Sequence, residues 1–333
     1  MRGCDFDRLS HGMCSHHEAQ HMPRLRLAPF RAPARSRVAV AELGVVRPLA
    51  PARMIKRGFP NLPIIQRAVR ELWRVISPDT LRARFASAYH ATRAERPDGD
   101  SIIATQQIAR RIALLYRLRI GTVVVTFVSS LDRPGRIELS DSDDFFIELH
   151  ADYRRRYEQV AAILAHEVAH IFCHRLKLSI GDTFQDEVLT DTTATYLGAG
   201  VPILNAFTEE SAYSPETPNL RKQQCFGYIT PDEFGYLLAK RHSLFGEDPA
   251  PFLTTTPGTE AYRCGRERAQ QDLRPPLRSA PLAARAAYRM KRAFTKTILF
   301  DCPTCFQRLR LPTGRGEISV RCPNCHEQFP CFT

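Results

Sequence analysis

The sequence predicts an α+β chain: a main domain in which a small mixed sheet packs on one long buried helix with helical flanks, then a small cysteine-clamped C-terminal module. Three observations predict it. The run Tyr157 to His174, YEQVAAILAHEVAHIFCH, sets Val160, Ala161, Ile163, Leu164, Val168, Ile171 and Phe172 at helical spacing, with no Gly or Pro among them. Two strand-like stretches, TVVVTFVSSL and Asp144 to His150, stand just before that helix. Two C-P-x-C turns, Cys302 to Cys305 and Cys322 to Cys325, flank 16 residues near the C-terminus.

Composition bounds the rest. With 333 residues, 44% of them apolar, the chain can bury one substantial core and a small appendage. No run approaches 18 apolar residues, so no membrane span is expected. The net charge of +12 would favour nucleic acid or an acidic partner. Much of it sits in segments that read as tail and linker, where solvated basic residues are the ordinary outcome. Of ten cysteines, Cys4, Cys14, Cys173, Cys225, Cys264 and Cys331 show no pairing pattern, which places the chain in a reducing, cytoplasmic compartment.

Residues 1–54 are rich in Arg, Ala and Pro without sustained periodicity, and are expected to be disordered; Met54 reads as an alternative start. Their His11, Cys14, His16, His17 and His21 have nothing nearby to hold them as a specific metal site. From residue 55 the periodic chain begins. Ile64, Ile65, Val69, Leu72, Trp73 and Ile76 form the stripe of an amphipathic helix. Ser77 and Pro78 open a second helix from Thr80 to about Ala94, and Ser101 to Leu118 is a third, closed by Gly121. The strand TVVVTFVSSL, a turn at Asp132-Arg133-Pro134-Gly135, RIELS and the strand at Asp144 to His150 then lead into the central helix.

That helix carries His166-Glu167-Val168-Ala169-His170. His166 and His170 lie one turn apart on one face, close enough to share a cation. Glu167 is rotated by about 100°, so it can face a water at the metal without being a ligand. Two imidazoles for zinc and a carboxylate to take a proton are what a metal hydrolase needs. A third ligand must come from another element. The helix Gln185 to Gly200 offers Glu187, with 16 residues between it and His170, enough for a turn and an antiparallel return. Asp191, one turn further on the same face, can accept a hydrogen bond from the far nitrogen of a ligand imidazole. His174 lies about 12 Å along the axis from His166, too far to share its metal.

HEVAH followed by a helix bearing E-x-x-x-D resembles the gluzincin metallopeptidases over roughly residues 122–200. The resemblance implies a zincin-like domain, a protein or peptide substrate, and one catalytic zinc on His166, His170 and Glu187, with Glu167 as general base and Asp191 orienting a ligand histidine. It also implies that Asp144 to His150 is a sheet edge receiving extended substrate, and that a Tyr or His stabilises the oxyanion. Tyr196, Tyr213 and Tyr228 are the candidates. HExxHxxxH before a Glu helix is also similar to the ImmA/IrrE-like peptidases, which cut transcriptional repressors. The SprT-like DNA-associated proteases also place a zinc ribbon after HExxH, but use a third His; here the next after His174 is His242. A further alternative is an inert zincin-like domain acting through its ribbon.

Downstream, Thr230, Pro231 and Glu233 form a capping box for a helix to about Arg241 that packs Phe234, Leu237 and Leu238. Residues 265–298 read as a basic linker with one short helix, open to nucleic-acid contact, and close the main domain at 264. In residues 299–333, Cys302, Cys305, Cys322 and Cys325 present four thiolates to one structural zinc, brought together by a hairpin of the intervening residues. This segment resembles a zinc ribbon, whose Arg308, Arg310, Arg315 and Arg321 would suit nucleic acid.

Overall fold

The computed structural model describes residues 57–85, 89, 101–214, 217–292 and 296–333. The N-terminal segment 1–54 with its histidine cluster, and the stretch expected to carry the second helix from residue 90 to Ala94, lie outside them. The architecture is mixed α+β with small sheets.

Helix α1 (Leu62–Val75) buries Ile65, Val69, Leu72 and Trp73 on one stripe. It is followed by α2 (Pro78–Phe85) and α3 (Ser101–Leu115), the latter ending where Arg117 turns left-handed. The strands β1 (Val123–Val128), β2 (Gly135–Ile137) and β3 (Phe145–His150) form one mixed sheet, ordered β1-β3-β2. β1 runs parallel to β3, and β2 runs antiparallel to it, pairing Gly135 with Leu149 and Ile137 with Ile147. The stretch expected to be a sheet edge is therefore the central strand. Its neighbours pair on both sides because alternate residues Phe145, Ile147 and Leu149 are buried toward the helices while the backbone groups satisfy both ladders. The edges are β1 and β2, and β2 is the edge that packs beside the helix Tyr157–Arg175.

Helix α4 (Tyr157–Arg175) is buried almost all round, packed between α3 and the helices that follow it. Asp182 caps α5 (Thr183–Ala194) by accepting from the Gln185 N–H. The expected single helix to Gly200 instead changes to a π-turn at Thr195–Ala199, with Gly198 at φ 115°, and then α6 (Gly200–Asn205). The hairpin β4 (Thr208–Ser214) and β5 (Thr217–Gln224) leads to α7 (Pro231–Phe245), where Thr230 and Glu233 make the reciprocal capping box and Gly246 closes the helix at φ 76°.

Residues 265–298 are no free linker. Helix α8 (Thr256–Gln270) runs through the boundary at 264 and packs on α7. Leu277 bridges to Cys331, the Arg278 N–H donates to Pro330 O, and Leu277 and Ala280 are buried. The Pro and Arg content that reads as linker hides these apolar anchors. A further helix, α9 (Leu282–Arg292), precedes the C-terminal module.

That module is two hairpins, β6 (Thr297–Asp301) with β7 (Arg308–Pro312), and β8 (Glu317–Arg321) with β9 (Gln328–Phe332). Each C-P-x-C turn sits at the tip of its own hairpin, so the 16 intervening residues do not form one hairpin, as expected, but supply a strand to each. The halves repeat in detail. Cys302 N–H donates to Gln307 O and Cys322 N–H to Glu327 O, and Phe306 and His326 both take left-handed backbone, at φ 59° and 61°. The knuckles rest on the main domain: Arg70 donates to Phe306 O, Asn324 to Arg70 O, Arg82 to Cys325 O and to Glu327, and Lys240 to Pro303 O. No helix among the described residues is long and apolar enough to cross a membrane.

Candidate metal centre

A helix buried on nearly every face must account for each polar side chain it carries. In the middle of α4 these are His166, Glu167 and His170. The two imidazoles, one turn apart, bring their Nε2 atoms within 3.0 Å of each other. Helix α5 packs beside α4 and delivers Glu187 Oε2 to 3.2 Å from the first and 3.3 Å from the second. The three atoms form a nearly equilateral triangle. Nitrogen ligands at the usual zinc distance of about 2.0–2.1 Å stand about 3.3–3.4 Å apart around a tetrahedral ion.

Protons on the far side of each ring explain the triangle. His166 Nδ1 lies 2.7 Å from Asp191 Oδ1, and a carboxylate only accepts, so Nδ1 carries the hydrogen. His170 Nδ1 lies 3.2 Å from the Thr190 hydroxyl, which spends its own hydrogen on Asp186 O at 2.9 Å. Nδ1 of His170 is therefore also the donor. Both Nε2 lone pairs then point at Glu187 Oε2, which is buried without a hydrogen-bond partner. Three acceptors facing one another repel unless a proton or a cation lies among them. The donor set fits a cation such as zinc.

The electrostatics match. Burial opposes a charge on His166, but Asp191 and then Glu187 outweigh it and hold that imidazole well above its ordinary value. Burial works against the Glu187 carboxylate too, yet His166 and His170 draw it down to about 2. Burial raises Glu167, against the pull of the same histidines, which suits a group that must take up a proton.

Asp191 does more than orient one ring. Its Oδ2 accepts the backbone N–H groups of Tyr228 and Ile229, tying the loop after β5 to the centre. Gly227, at φ 92°, makes this approach possible: a Cβ there would meet both Asp191 carboxylate oxygens at 2.7 Å. The same bonds stack Tyr228 on His166, with ring centroids 5.9 Å apart and planes inclined by 24°.

A pocket of about 130 Å³ opens beside His166 and Glu167, walled by Pro134, Ile163, Phe226 and Tyr228. Glu167 Oε2 is buried there without a partner. The free-edge strand β2 forms one side, and Gly135 lets it close on α4: a Cβ would stand 2.5 Å from Ile163 Cγ2 and 2.9 Å from Glu167 Oε1.

The other sequence candidates sort clearly. Tyr196 is core, accepting the Trp73 indole N–H, while Tyr228 is at the centre; the side chain of Tyr213 lies outside the described residues. His174 faces Asp141 at the surface, and His242 pairs with the Tyr262 hydroxyl and Asp248. Tyr228 is one of three tyrosine candidates and Gly135 reads only as part of a turn, while Thr190 and Gly227 carry no assignment from the sequence. Of the latter two, Thr190 has a local signal, since it shares a helical face with Glu187 and Asp191.

The second donor group is closed. Cys302, Cys305, Cys322 and Cys325 are all fully buried, with Sγ pairs 3.6 Å apart for Cys302–Cys325 and Cys305–Cys322. Four sulfurs at about 2.3 Å from one tetrahedral ion stand about 3.8 Å apart, so this group also could bind zinc. Compared with protein-family models, curated proteins and solved structures, the chain matches none.

Proposed function

We propose that this chain is a zinc-dependent peptidase of the gluzincin kind. The observation that carries the reading is the triangle of His166 Nε2, His170 Nε2 and Glu187 Oε2 beside a buried, unpartnered Glu167. His166, His170 and Glu187 would hold the ion. When bound, zinc supplies Lewis acidity and makes water a nucleophile at neutral pH. Glu167, raised and facing the pocket, takes the water's proton and later delivers it to the leaving amine. Tyr228, stacked on His166, is the group placed to donate to a developing oxyanion. Extended peptide would pair with the free edge of β2, the strand nearest Glu167, rather than with β3.

The four-cysteine module reads as a zinc-held buttress, since its knuckles bond to α1, α2 and α7. A SprT-like centre would need a third histidine, and His242 is engaged elsewhere.

The test is Glu167→Gln in the full chain, with metal content and hydrolysis of a quenched-fluorescent peptide library measured together. Two zinc ions per chain should remain and hydrolysis should fall by about 10²–10⁴-fold. Full activity in that variant would sink the peptidase assignment.

A further inference from the structure

The pocket beside Glu167 contains a charge for which the proposed chemistry has no use. Arg133 lies in the turn before β2 and lines the pocket with a side chain only 16% exposed. The turn is pinned on both sides, by buried Leu131 and by Pro134 O, which accepts the His150 N–H at 2.9 Å. Asp132 engages one edge of the guanidinium, taking Nε at 3.0 Å and Nη2 at 3.5 Å. Nη1 remains, buried and without a hydrogen-bond partner. A buried charged donor left unmade is costly, and in a native pocket it calls for a specific acceptor.

The identity of that acceptor follows from its surroundings. Asp132 is 65% exposed, so water screens its charge and the arginine stays electropositive toward the pocket. Arg133 lines the same pocket as Glu167 and Tyr228. The neighbouring walls, Pro134, Ile163 and Phe226, are apolar. At about 130 Å³ the pocket is small beside the roughly 300–1,000 Å³ of drug-sized ligand sites, a size suited to one side chain or a chain end. An apolar cleft of that size with one cation at its wall suits a carboxylate.

We propose that Arg133 is a specificity-determining residue that binds a carboxylate on the substrate residue next to the scissile bond. This rests on the peptidase reading above. The carboxylate comes either from an Asp or Glu side chain or from the terminal carboxylate of the substrate.

The experiment uses the zinc-loaded full chain carrying Glu167→Gln, which binds without turnover. Fluorescent short-peptide libraries are compared in matched pairs: Asp or Glu against Asn or Gln at each position, and free C-terminus against C-terminal amide. The carboxylate member of one pair type should bind about 10-fold tighter or more. Adding Arg133→Met should erase that difference with zinc content and melting temperature unchanged, and Arg133→Lys should restore part of it. A preference confined to the first pair type identifies a side chain as the source, and one confined to the second identifies the chain end. Equal binding within both pair types, or a preference that survives Arg133→Met, overturns the proposal. If the chain with Glu167 intact cleaves none of these peptides while the Arg133-dependent preference stands, the peptidase reading fails and the carboxylate site remains.

Discussion

The four-cysteine group and the His166–His170–Glu187 group use the same device, donors brought from two elements onto one point, but differ in what they leave over. Cys302, Cys305, Cys322 and Cys325 are fully buried at the tips of their own hairpins and number the four donors that a tetrahedral ion takes. His166, His170 and Glu187 complete only one face, and the open side meets the pocket holding Glu167. A closed donor set holds a fold together, whereas an open one has a position to spend on chemistry. The supports differ in the same sense. Each cysteine knuckle is stabilised by hydrogen bonds within its own turn, but the histidines depend on Asp191 and Thr190 from another helix.

The largest effect expected from this contrast is on the closed site. Cys302→Ser should lower zinc from two equivalents to one and destabilise the whole described body, because the knuckles bond to α1, α2 and α7. Zinc contributes about 10–16 kcal/mol to isolated zinc-finger peptides, so a loss of several kcal/mol should appear as one lowered melting transition. An unmoved main transition would show that the module is independent of the domain.

At the open site, Asp191→Asn should weaken zinc by about 10- to 100-fold, since it disturbs the tautomer of His166 and the seat of Tyr228 together. Competition with a fluorescent chelator measures this, and the ribbon's zinc should be unaffected. Gly135→Ala is expected to be milder: overpacking costs about 1–3 kcal/mol of stability, read as a lowered melting temperature with both zinc ions retained, and kcat/KM should fall as the added methyl displaces Glu167. Wild-type kcat/KM in that variant would show that β2 does not need to lie so close to Glu167.

The smallest effect is the pH profile. In the metal-free centre, the raised His166 contributes stability that is complete below its ordinary 6.5 and is lost as pH rises through its higher folded value. The lowered Glu187 contributes stability that is complete above its ordinary 4.5 and is lost as pH falls toward about 2. Chelator-stripped protein that retains its ribbon zinc should therefore melt highest between about pH 4.5 and 6.5. Zinc affinity should run the other way, rising with pH as the His166 proton leaves. Calorimetry across that range separates the two.

Much of the centre was legible because helical spacing is local. His166 with His170, and Glu187 with Asp191, share faces by counting alone. Glu187 as third donor needed only a turn of sufficient length between two helices. The strand order was not legible: β3 has the pattern of any half-buried strand, and whether it is an edge depends on where β2 returns. The cysteine turns are visible in the sequence as duplicated C-P-x-C, but the pairing of strands around them is not, since a 20-residue repeat of whole hairpins and a single central hairpin have the same cysteine spacing. Residues 265–298 looked like linker because composition does not show that Leu277 finds a partner in Cys331.

By itself, then, the sequence determined which donors exist and which of them share a helix face, because a backbone with 3.6 residues per turn leaves no freedom in that matter. Only the tertiary structure decided which tyrosine stacks on His166, which edge strand lies beside Glu167, and that Arg133 keeps one nitrogen unspent in the same pocket. Those outcomes depend on contacts between residues far apart in the chain, and such contacts are set by the packing of whole elements rather than by local spacing.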